Sequence, residues 1–155
     1  MIVISTDRGF CGGLNNNLFR LCLSDIQAHQ KNGIEVDMSL IGHRAEMFFS
    51  RLDMNIVSYA HHLGDSPSIQ CLIGSVKVML DAYDEEKIDQ LVVYYNRFVN
   101  TIAQTPTSQL VLPLKPEVSE QNSHWDYLYE PDAKTLLGQL LTRYIESQVL
   151  SLIHI

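Results

Sequence analysis

Cysteine is scarce in this 155-residue chain. Cys11, Cys22 and Cys71 are an odd number with no C-x-x-C pair, which argues against a secreted disulfide framework and against a zinc site, and fits a reducing compartment. Basic charge is also short, with 11 Lys and Arg against 18 Asp and Glu and a formal net charge of −7. Such a chain lacks the positive field that attracts a nucleic acid or an anionic lipid surface, so neither is an expected partner. No apolar run approaches the ~20 residues that a bilayer span needs. The opening MIVISTDRG lacks the basic stretch, apolar stretch and small-residue cleavage site of a signal peptide. Internal repeats and low-complexity tracts are missing as well.

What is present is enough apolar residue, 46% of the chain, to build one core without staples. The whole of 1–155 reads as a single domain. Both ends read as cut from a longer chain, because Met1 opens directly on an apolar run and the last residues are LSLIHI, where loosely held polar residues are usual.

Along the chain, Met1 to Thr6 is β-branched and apolar on both faces, as a strand covered from both sides must be. Asp7-Arg8-Gly9 breaks it, Gly12 and Gly13 supply permissive backbone, and Leu14, Leu18, Leu21, Cys22 and Ile26 then recur at helical spacing as far as Lys31. Asn32-Gly33 stops that helix. A second strand is expected over Ile34 to Ile41, a short helix over Gly42 to Leu52 and a third strand over Met54 to Tyr59. Ser66 and Pro67 mark the start of a long helix carrying Ile69, Leu72, Ile73, Val76, Leu80 and Tyr83 on one face. Ile88 to Asn96 suits a central strand, a turn is expected at Thr105-Pro106-Thr107, and Gln109 to Leu114 suits an antiparallel partner, with Pro113 fit only for an edge. Glu130-Pro131-Asp132 opens a final helix on Leu136, Leu137, Leu140, Leu141, Tyr144, Ile145 and Val149.

These alternations predict an α/β fold, a Rossmann-like three-layer sandwich. It would hold a mostly parallel five-stranded sheet in the order 3-2-1-4-5, with the last strand antiparallel at the edge and helices on both faces.

The glycine turn DRGFCGGLN is the first candidate for chemistry, because a helix N-terminus can cradle a phosphate. It is spelled neither G-x-G-x-x-G nor G-x-x-x-x-G-K-[ST], and Asp37 sits mid-strand where a ribose-binding acid would stand at a strand end. The alternative reading is structural: Gly9, Gly12 and Gly13 turn the chain and seat the helix while Asp7 and Arg8 satisfy nearby backbone groups. Cys11 lies where a helix dipole favours a thiolate, with no histidine near it in sequence. His61-His62 lacks the i, i+4 spacing of a metal pair, and Asp81, Asp84, Glu85 and Glu86 read as a solvated helix end. Neither a cofactor nor a metal is expected. Trp125, Tyr127 and Tyr129 share one side of an extended segment in an otherwise polar stretch, and either anchor that loop or await a partner.

The segment ISTDRGFCGGLNNNLF resembles the signature stretch of the gamma subunit of F-type ATP synthases. SVKVMLDAYDEEKIDQL, NRFVNTIAQTPT and WDYLYEPDAKTLLGQLLTRYIESQV resemble the same family in the same order, so the likeness covers nearly the whole chain. The resemblance implies a central-stalk domain with no catalytic residue. In that family it lies between two coiled-coil helices that enter the alpha/beta hexamer, and those helices are absent from this sequence. It implies a foot surface at Trp125, Tyr127, Tyr129 and Glu130 that meets the epsilon subunit and the c ring, with Asp126 beside it. It also implies a peripheral place on the cytoplasmic face of a bacterial inner membrane, proton-driven rotation coupled to ATP synthesis, and a monomer when the domain is isolated. Phe10 departs from the leucine usual in the family, and the ending LSLIHI departs from its small and polar continuation. Two rival readings are a small nucleotide-binding α/β enzyme using the DRGFCGG turn and a receiver-type module, for which Asp7 is the sole candidate acid.

Overall fold

A computed structural model of the chain describes residues 1–60, 69–100, 103–113 and 147. Its elements run β1 (Ile2–Ile4), α1 (Leu14–Lys31), β2 (Asp37–Ile41), α2 (His43–Phe49), β3 (Asn55–Ala60), α3 (Ile69–Asp84), β4 (Leu91–Phe98) and β5 (Gln104–Leu112). The five strands form one sheet in the order β3-β2-β1-β4-β5. β1 pairs in parallel with both β2 and β4, β2 with β3, and β5 runs antiparallel to β4. This is the expected topology.

The placement of the helices follows from the handedness of the crossovers. The connections β1-α1-β2 and β2-α2-β3 step in one direction across the sheet, so right-handed crossovers put α1 and α2 on the same face. The connection from β3 to β4 steps back over β2 and β1, which sends α3 to the opposite face. The core accordingly divides in two. Met1, Val3, Met38, Leu40 and Tyr94 point to the α1/α2 side with Leu18, Phe19, Cys22, Ile26, Ala45 and Phe49. Ile2, Ile4, Ile41, Leu91, Val93 and Tyr95 point to the α3 side with Val76, Met79 and Leu80. Odd and even positions of β1 serve different cores, as the period of a strand requires. Full burial of side chains of this kind stabilises by about 1.5–3 kcal/mol each.

On the α1/α2 face three rings lock the two helices together. Phe19 stacks on Phe48 at 4.8 Å between ring centroids, and Phe49 meets Phe19 and Phe48 edge-on at 5.4 and 5.1 Å. Deeper in, the Tyr94 hydroxyl of β4 donates to Asp25 Oδ2 of α1 at 2.9 Å. On the buried strand β2, Ser39 meets the Ser58 hydroxyl of β3 at 2.7 Å, which satisfies two hydroxyls inside an apolar layer.

Three sequence expectations need correction. The chain reverses between β4 and β5, where the Val99 and Asn100 amides donate to the Ala103 carbonyl and the Ala103 amide donates to Asn100 Oδ1 at 2.6 Å. Thr105-Pro106-Thr107 is therefore strand, and Pro106 lies opposite Asn96 on the edge strand, where a missing donor is tolerated. Pro113, expected within that strand, follows its end through a cis peptide bond. Finally, β2 begins at Asp37, three residues later than Ile34, because Gly33 at φ +72° and the Ile34 amide are still closing the end of α1. The expected His61-His62 loop, the Ser66-Pro67 helix start, Leu114 and, apart from the helical Ser147, the final helix from Glu130 lie outside the described residues.

Burial raises the Cys22 thiol from an ordinary 9.0 to about 12. It also lifts the Tyr94 phenol above its usual range, aided by the hydrogen bond to Asp25. Both groups ionise more readily in the unfolded chain, so their contribution to stability is complete below about pH 8.5 and is lost as the pH rises toward 12. Denaturant melts at pH 8 to 11 should show a steady alkaline loss, shallower in Cys22→Ala than in the parent chain. Tyr94→Phe at pH 7 should cost about 1–2 kcal/mol in the same melts.

Candidate functional site

The carboxyl ends of parallel strands are where open α/β sheets place their working residues. Here that region is the turn from Ser5 to Gly13 together with the start of α2. Ser5 and Asp7 are committed to α2. The Ala45 amide donates to Ser5 Oγ at 2.9 Å, Ser5 Oγ donates to the Ile41 carbonyl at 3.2 Å, and the His43 amide donates to Asp7 Oδ1 at 2.8 Å. The Arg44 amide donates to the Thr6 carbonyl at 3.2 Å. Three successive donors of the first turn of α2 are thereby satisfied by the chain that leaves β1, so the turn caps a helix other than the one it leads into.

Gly42 makes this possible. Its φ is +100°, and a Cβ there would overlap the Ser5 carbonyl and stand 2.6 Å from Ser5 Oγ. The other glycines are less constrained. Gly12 takes φ +57° with nothing near its missing Cβ, and Gly13, the residue preceding α1, has an ordinary φ of −83° with Asn17 at 3.4 Å. Gly9 lies under the Arg44 guanidinium, 2.8 Å from where its Cβ would be.

Asn15, in the first turn of α1 and only 6% exposed, holds the turn from inside. Its Nδ2 donates to Thr6 Oγ1 at 2.8 Å and to Cys11 Sγ at 3.2 Å, and its Oδ1 accepts from the Thr6 amide at 3.3 Å. Thr6 Oγ1 donates to the Arg8 carbonyl at 2.7 Å. Cys11 is a partly exposed free thiol inside this network. Phe10 stands fully out in solvent at the tip of the turn. Its ring therefore takes no part in holding the turn.

Of the residues singled out in sequence, the structure thus brings Asp7, Arg8, Gly9, Gly12 and Gly13 into one turn. Trp125, Tyr127, Tyr129 and Glu130 lie outside the described residues. Sequence reasoning missed Ser5, Asn15 and Gly42. A glycine directly between an apolar strand and a helix was the available signal for Gly42. Nothing in the run of three asparagines distinguishes Asn15 from Asn16 and Asn17. A concavity of about 510 Å³ opens at the opposite, amino ends of the strands, bordered by Met1, His29, Glu35, Asp37, Lys87 and Gln90. Among the described residues no group of three or more His, Cys, Asp or Glu is placed to hold a metal ion.

A family model described as ATP synthase matches residues 1–154. The chain is 52% identical over 149 residues to an ATP synthase gamma chain of Xylella fastidiosa, covering 96% of this chain and 52% of that protein. The chain belongs to the ATP synthase gamma family. It spans about half the length of that curated relative. The same fold is found in chains of two solved assemblies. The central stalk and c-ring structure of the Tetrahymena thermophila mitochondrial ATP synthase contains a chain with a TM-score of 0.67 at 16% identity, over 98% of this chain and 66% of that one. The rotor of the Euglena gracilis enzyme contains one with a TM-score of 0.60 at 18% identity, over 98% and 58%. At such low identity these two establish the shared fold.

The glycines make a graded test of the turn. Gly42→Ala combines a backbone clash with a left-handed φ and should lower stability by more than about 3 kcal/mol or abolish folding. Gly12→Ala should cost about 1–2 kcal/mol, for its φ alone. Gly13→Ala should be close to neutral. Thermal melts of the three variants give the ranking.

Proposed function

We propose that this chain is the α/β domain of a central-stalk subunit, set in its full-length protein between two coiled-coil helices, and that it performs no chemistry itself. It would couple proton-driven rotation of the c ring to ATP synthesis on the alpha/beta hexamer, where the reaction takes place. Identity of 52% to a gamma chain over nearly all of this sequence is the observation that carries the reading. The family's non-catalytic place in its complex and the fold shared with stalk and rotor chains support it. The double-sided core supports it physically, since a close-packed three-layer sandwich transmits force with little deformation.

The partners on this reading are the epsilon subunit and the c ring, met through Trp125, Tyr127, Tyr129 and Glu130, and the alpha/beta hexamer, reached through the coiled coil. The place is peripheral, on the cytoplasmic face of a bacterial inner membrane. No described helix is long and apolar enough to cross one. The opposing reading, a nucleotide enzyme built on the DRGFCGG turn, has less support. Asp7 and Ser5 already serve α2, and the position that a phosphate-binding lysine would fill is occupied by neutral residues.

The test is a titration of epsilon subunit into the chain, followed by the fluorescence of Trp125, the single tryptophan. A saturable change is expected. In full-length gamma, Tyr127→Ala with Tyr129→Ala should weaken assembly with epsilon or the c ring by about tenfold or more, as loss of two interface aromatics does. Unchanged assembly would remove the assigned surface. Saturable binding of ATP or NAD, lost in Gly12→Val, would instead support the enzyme.

A further inference from the structure

Asn32-Gly33 is the one Asn-Gly step in the sequence, and it sits exposed at the end of α1. Asparagine followed by glycine is the pair most open to attack on the side chain by the next backbone nitrogen, because no Cβ obstructs the approach. Nothing stands within 4 Å of the missing Cβ of Gly33, whose φ is +72°, and among the described residues the Asn32 carboxamide has no hydrogen-bond partner. Three bonds restrain the backbone. The Asn32 and Ile34 amides both donate to the His29 carbonyl and the Gly33 amide donates to the Gln30 carbonyl, each at 3.0 Å. Asn32 itself is held at ψ 5°.

We propose that Asn32 is the chain's site of spontaneous deamidation, and that the C-terminal cap of α1 holds the reaction in check. The Gly33 nitrogen must leave the Gln30 carbonyl and lose its proton to form a bond to Asn32 Cγ. The Cγ–Nδ2 bond then breaks, ammonia departs with that proton, and a succinimide remains. Water opens the ring on either side, giving aspartate or isoaspartate with no change in oxidation state. Attack proceeds from the frayed fraction of the last turn, so its rate follows the population of that local opening. The product matters to the fold. A carboxylate arises at the negative end of the helix dipole, close in sequence to Glu35 and Asp37, and the isoaspartate form lengthens the main chain that brings the Ile34 amide back to His29. This inference is independent of the central-stalk reading and survives its failure.

The experiment is incubation of the chain at mildly alkaline pH, folded and in denaturant, with peptide mass mapping of every asparagine and circular dichroism to confirm the folded state. In denaturant Asn32 should convert first. In the folded chain its conversion should be slower by about tenfold or more. Gln30→Gly, which loosens the last helical turn, should accelerate conversion severalfold in the folded chain and leave the denatured rate unchanged. Equal rates in the folded and denatured chains, or first conversion at another asparagine, would overturn the proposal.

Discussion

A three-residue strand with no solvent-facing side is the constraint on which the rest of this structure depends. Ile2, Val3 and Ile4 are all buried, between two parallel neighbours and two layers of helix. A strand in that position can form only if helices return over both faces. Right-handed crossovers supply this by stepping from β1 to β3 on one side and back to β4 on the other. The two cores, the order of the sheet and the antiparallel edge all follow from covering those three residues. So does the requirement that the chain leaving β1 turn sharply, since it emerges beside the end of β2 and the first turn of α2.

Much of this was legible in the sequence because two-sided burial writes itself as unbroken apolar runs, and α1 and the sheet order were read directly from it. What escaped was local. Thr105-Pro106-Thr107 has turn composition, yet β5 passes through it, because an edge position removes the objection to proline and Asn100 provides the reversal earlier. On α1 the buried stripe takes Asn15 and Phe19 as well as Leu18, Cys22 and Ile26, while Leu14 and Leu21 are only partly covered. Periodicity counts apolar residues and cannot register an asparagine buried to satisfy a loop.

The same blindness governs the turn. Its glycines drew attention as a phosphate cradle, but the residue with no substitute is Gly42, thirty positions beyond Gly12 and outside the motif. Close approach of Gly42 to the Ser5 carbonyl lets Ser5 and Asp7 reach the free amides of α2, and this contact is created by the parallel pairing of β1 with β2. A pattern confined to nine residues cannot display a constraint imposed from a neighbouring strand. The aromatic series at Trp125, Tyr127 and Tyr129 has the opposite character. Alternation and composition show three rings sharing one side of an extended segment, and leave open whether they anchor that segment or meet a partner.

The turn also differs in its wiring from the first turn of a dinucleotide-binding domain of related topology. In a dinucleotide-binding domain the first strand-to-helix turn is shaped around a pyrophosphate, and its glycines admit the ligand. Here the equivalent donors and acceptors face inward. Asn15 and Thr6 fix the turn from below, Ser5 and Asp7 are spent on α2, and Phe10 occupies the exposed tip. The hydrogen bonds that hold the turn in shape come from the protein itself, so its polar groups are satisfied without a bound group.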